Sequence, residues 1–148
     1  MLQNMLPADV TAIDRAIEKI KAGAINDALP VLLAMREKYP TQFFLEGIIA
    51  KAYYAQQDYA SASFHFRQVT KHNPSSELAS YGLFICLWHL GERHDAFAEM
   101  DRYLSVYSPE LYVTVLSEIQ VEDVPHNQTY LQIIRRLRQR HQGVLKMD

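Results

Sequence analysis

Six histidines (65, 72, 89, 94, 126 and 141) are the first candidates for chemistry in this chain. Two histidines one helical turn apart can share a metal ion, but no pair here has the i, i+4 spacing and none stands beside a cysteine. His65 and His72 fall two turns apart, too far for one ion, so the spacing predicts surface or groove histidines. The one cysteine, Cys86, lies between Ile85 and Leu87 and reads as a small core residue, not a nucleophile. Glu118, Glu122 and Asp123 cluster, yet general acid–base work needs a pocket that moves their pKa values, and a solvated helix end accounts for them. With five glycines in total there is no phosphate-cradling loop and no nucleophile elbow. The sequence therefore predicts a non-enzymatic protein with no cofactor and no metal.

One basic run remains, IIRRLRQRHQ at 133–142, in which Arg135, Arg136, Arg138 and Arg140 could meet RNA, an anionic membrane face or an acidic partner. No aromatic residues are interleaved for base stacking, so a nucleic-acid role is not favoured. The plainer reading is the solvated back of an amphipathic helix. Net charge is −2, which adds no global attraction for nucleic acid.

The elements must position these residues. At 148 residues, 49% apolar and 22% charged, the chain has the make-up of one globular domain with a real core. A single cysteine excludes an intrachain disulfide and fits a reducing compartment. The opening MLQNMLPADV has no basic segment followed by an apolar one, so no secretory signal is read and a cytoplasmic location is expected. The uncharged run YGLFICLWHLG, residues 81–91, is far shorter than the roughly 18 residues of a membrane span.

A repeat organises the rest. Ala28, Ala62 and Ala96 are spaced by 34 residues, each followed four residues later by a large apolar side chain: Leu32, Phe66 and Met100. Pro40, Pro74 and Pro109 close the segments, and Gly23 and Gly91 share a phase occupied by Gln57-Asp58 in the middle copy. Each segment reads as two helices crossing closely at the alanine, with proline blocking continuation. Thr41, Ser76 and Ser108 are expected N-caps, and Asp27 is expected to cap a helix carrying Pro30 in its first turn. Ser108-Pro109-Glu110 should open a further helix to about residue 120, and Asn127 a last one with Tyr130, Ile133, Ile134, Leu137 and His141 on one face.

This pattern resembles the tetratricopeptide repeat (TPR) family, in three tandem copies at about 9–42, 43–76 and 77–110, with capping helices at about 109–120 and 127–142. The middle copy carries Tyr53, Ala62, Phe66 and Pro74 at the family's signature phases, but Glu46, Ile49 and Ala50 where an aromatic and a Leu-Gly pair are usual. The resemblance implies an all-α superhelical stack of helix-turn-helix units, whose first helices line a concave groove. Family phases would place Phe44, Gly47, Lys51, Tyr54 and Ala55 in that groove from the middle copy. The third copy would add Leu78, Tyr81, Ile85, Trp88 and His89, and the first Val10, Ile13, Ile17 and Ile20. Leu83, Phe84, Cys86, Leu87 and Leu90 would be stacking core.

TPR adaptors for heat-shock proteins clamp a C-terminal carboxylate with donors at five positions. Here those positions are Ile13, Ile17, Ile48, Leu78 and Gly82, none of which can donate, so that activity is excluded. An apolar, aromatic groove suits an extended peptide or amphipathic helix with bulky anchors, as in an adaptor or chaperone. The architecture is similar to bacterial type III secretion chaperones of translocator proteins. The alternative is a self-assembly subunit whose groove is filled by its own C-terminal helix or by a second copy, for instance as a homodimer.

Overall fold

The computed structural model describes residues 4–120 and 128–146; the expected cap Asn127, together with His126, Glu122 and Asp123, lies outside them. Nine helices and no strand occur among the described residues. The chain divides into two compact units, Met1–His72 and Asn73–Asp148. In the first unit α1 (Pro7–Lys21) packs on α2 (Ile25–Lys38), α2 on α3 (Phe44–Ala55), and α3 on α4 (Tyr59–His72). In the second, α5 (Glu77–His89) packs on α6 (Arg93–Leu104), and α7 (Tyr112–Glu118), α8 (Gln128–Arg140) and the single turn α9 (Gln142–Leu145) follow.

One turn geometry closes α1, α3 and α5. Gly23, Gln57 and Gly91 take positive φ of 85°, 61° and 78°. The next residue's N–H reaches back five positions each time: Ala24 to Lys19 O at 2.8 Å, Asp58 to Tyr53 O at 3.0 Å, Glu92 to Leu87 O at 2.9 Å. This is the Schellman closure, which satisfies carbonyls that a helix end otherwise orphans. Glycine adopts the left-handed residue without strain, whereas Gln57 carries a Cβ there. After Gln57, Asp58 caps α4 by accepting Ser61 N–H at 3.1 Å.

Ala28, Ala62 and Ala96 are fully buried, and Leu32, Phe66 and Met100 one turn on are buried with them. Small side chains at those points allow close helix crossing, and the larger ones fill the space beside them. Ile13, Leu29, Leu32, Leu45 and Ile49 anchor the first unit's core. Leu83, Phe84, Leu87, Phe97, Leu104, Tyr112 and Leu116 are buried in the second.

Helix ends required corrections. α2 begins two residues before Asp27, with Ala24 at its N-cap position, so Pro30 lies in the second turn. The N–H that Pro30 lacks would have met the carbonyl of Asn26, an exposed residue, so solvent can satisfy that oxygen. Thr41 caps nothing, because α3 starts at Phe44. Ser76 caps α5 as expected, its side chain accepting Ala79 N–H at 3.2 Å. Ser108 and Pro109 do not open α7. The helix starts at Tyr112, and the Glu77 carboxylate accepts Glu110 N–H at 2.8 Å and Tyr112 N–H at 2.9 Å. Leu90, expected in the core, is 40% exposed, because it is the C-cap residue where the chain turns out of α5.

Candidate functional site: an apolar pocket between α5 and α7

Phe84, Ile85 and Trp88 stand at i, i+1 and i+4 on α5, and Thr114, Val115 and Glu118 repeat that spacing on α7. This spacing brings each trio onto one side of its helix. With Ile119 they line an open pocket of about 260 Å³, somewhat below the ~300–1,000 Å³ of small-molecule sites. It has room for one or two protein side chains. Glu118 is the one charged residue among these lining residues.

The walls are held from several directions. On the α5 side, Trp88 packs against Phe84 and Phe97, with centroids 5.9 and 5.8 Å away. The Arg93 guanidinium lies 3.9 Å from the Trp88 ring centroid and donates to the Trp88 carbonyl. A cation over an indole face is attracted by the ring's quadrupole. On the α7 side, buried Tyr112 shares a 2.8 Å hydrogen bond with Ser80 and meets Tyr81 and Phe84 edge-on. Burial raises the Tyr112 hydroxyl well above the ordinary tyrosine range, so it stays protonated. Glu77 caps the start of α7, and Arg138 donates to Leu116 O at 2.8 Å and Ile119 O at 2.7 Å at its end.

Of the groove residues that the sequence singled out, Ile85 and Trp88 line this pocket. Tyr81 is half-buried against Tyr112, His89 is exposed, and Leu78 is 47% exposed. In the first unit Phe44 is half-buried against the core cluster, Lys51 is exposed, and Tyr54 is 40% exposed and edge-on to Tyr59. Phe84 was expected as stacking core and is buried, yet one side of it forms pocket wall. Thr114, Val115, Glu118 and Ile119 escaped sequence reasoning as groove residues. The apolar i, i+4 pair Val115–Ile119 was the available signal.

The basic run divides by partner. Arg135 and Arg140 are exposed, Arg136 pairs with Asp101, and half-buried Arg138 is bound to the α7 carbonyls. Opposite them, Tyr130, Ile134, Leu137 and His141 are buried, and α8 packs on α6 and α7. No α8 residue is among the described residues lining the pocket.

The histidines also required correction, since two are core. His65 Nδ1 lies 2.6 Å from Glu46 Oε2, with Tyr53 stacked on its ring, and His141 Nε2 donates to Leu104 O at 2.7 Å. Each buried ring has the hydrogen-bond partner that burial demands. His72 stacks on Phe43 at 3.6 Å, and His94 Nδ1 bonds Tyr130 Oη at 2.9 Å. Among the described residues no three His, Cys, Asp or Glu are grouped to hold a metal. Cys86 is fully buried, and burial pushes its thiol up to about 12, which removes the thiolate a nucleophile needs. No helix of the described residues is long and apolar enough to cross a membrane.

No family model matches the chain, and no curated protein does. A solved chain named MamA MSR-1 C2 superimposes with a TM-score of 0.65 at 18% identity, over 95% of this chain and 84% of that one. The likeness is one of fold. Together with the helix pairs described above, it makes this chain an all-α, TPR-like protein.

Proposed function

We propose that this TPR-like chain is a non-enzymatic protein-interaction module that seats an apolar side chain of a partner protein in the α5–α7 pocket. The observation that carries the reading is the pocket itself: apolar walls of Phe84, Ile85, Trp88, Val115 and Ile119, open to solvent and fixed by Glu77, Arg93, Arg138 and the Ser80–Tyr112 bond. Pre-formed walls spare a partner the cost of ordering its site. An adaptor or a client-holding chaperone is the finer form of this reading, with Phe44, Lys51 and Tyr54 of the first unit as a separate contact patch. A bacterial, cytoplasmic setting belongs to the same finer form.

A pull-down with wild type and Ile85→Glu tests it. Ile85 is half-buried, so its replacement should keep the fold while placing a charge in the pocket. Expected is a captured protein that the variant loses at an unchanged melting temperature. Identical capture by both forms would move the contact away from this pocket. Sedimentation at several concentrations covers the self-assembly reading, in which a second copy fills the pocket and mass falls on dilution.

A further inference from the structure

We propose, resting on the pocket reading above, that the partner's apolar anchor is flanked by a lysine or arginine that pairs with Glu118. The chemistry is one of charge complementarity. Glu118 is exposed at the pocket and is the sole ionisable group among its described lining residues. Its carboxylate has no hydrogen bond or ion pair with another described residue.

The arginines that hold the pocket walls make their hydrogen bonds to backbone carbonyls and not to this carboxylate. Arg138 donates Nε and Nη2 to the carbonyls of Leu116 and Ile119, and Arg93 lies over the Trp88 ring and on its carbonyl. An anchor seated among Phe84, Ile85, Trp88, Val115 and Ile119 displaces water around the carboxylate, and a charge beside displaced water pairs more strongly. An acidic residue next to the anchor would meet Glu118 as a like charge. The pocket thus selects against acidic flanks as well as for basic ones.

A phage-displayed random peptide library, panned against full-length wild type, Glu118→Gln and Glu118→Lys, tests the proposal. Far-UV circular dichroism and melting confirm that both variants fold, as expected for an exposed position. Wild type should enrich a bulky apolar residue with Lys or Arg within a few positions. Glu118→Gln should retain the apolar residue without the basic bias, and Glu118→Lys should favour Asp or Glu. A selected basic peptide should bind Glu118→Gln about two- to fivefold more weakly than wild type, and the gap should close at high salt.

Enrichment of apolar peptides with no charge bias, or a selection unchanged by Glu118→Lys, overturns this inference. The pocket reading then survives if Ile85→Glu abolishes capture of those peptides. If wild type enriches nothing, and a concentration-dependent dimer is dissolved by Ile85→Glu, the occupant is a second copy and both readings fall.

Discussion

Glu77, the first residue of α5, accepts the backbone N–H of Tyr112 at 2.9 Å, so α5 supplies the N-cap that α7 does not find in its own flanking residues. The same carboxylate accepts Glu110 N–H at 2.8 Å. Glu77→Ala removes both acceptors at once and should cost about 1–3 kcal/mol, within the range for a cap or a charge-assisted bond. Chemical denaturation measures the loss. Hydrogen exchange should show it concentrated in α7.

The four arginines of the basic run should separate in a stability scan. Arg138→Ala leaves the carbonyls of Leu116 and Ile119 without their donor, and about 1–3 kcal/mol is expected. Arg135→Ala and Arg140→Ala, at exposed positions, should fall within about 0.5 kcal/mol of wild type. Equal effects at all three positions would contradict this division.

Gln57 occupies the left-handed turn position that glycine holds at 23 and 91. Relieving its Cβ strain should outweigh the extra chain entropy of glycine. Gln57→Gly is therefore expected to stabilise the chain by about 0.5–1 kcal/mol, read as a raised denaturation midpoint with unchanged slope.

Cys86 predicts a pH dependence. Its folded pKa, about 12, lies above that of an exposed thiol, so the folded state holds a proton that the unfolded chain releases first. Stability from this group is full below the unfolded value and declines as pH rises from there towards 12. Equilibrium denaturation across the alkaline range should show that fall, diminished in Cys86→Ala. At about pH 8 a thiol reagent should modify native protein only as fast as the core opens.

Much of the fold was legible because its signals are local or periodic. A buried alanine at a close crossing leaves a trace at Ala28, Ala62 and Ala96 whatever surrounds it. The face Tyr130, Ile134, Leu137 and His141 follows from helical spacing alone. The misread positions depend on partners far away in the chain. Ser108 has the composition of a cap, but Glu77 does that work, and no local pattern marks a carboxylate that serves another helix. His65 looked solvent-facing because its partner Glu46 lies 19 residues earlier. The pocket was half legible for the same reason: Ile85 and Trp88 followed from helical phase. Its α7 wall depended on where that helix begins, and the true start at Tyr112 is set by Glu77.

Trp88 is the chain's only tryptophan, and it stands in the wall of the pocket. Indole emission responds to the polarity around the ring, so selective excitation of tryptophan interrogates this one place and nowhere else in the molecule. The protein therefore carries its own optical gauge of occupancy. A bound side chain that displaces water beside the ring should shift the emission to shorter wavelength without any attached dye. A titration needs nothing beyond the unmodified chain and the peptide.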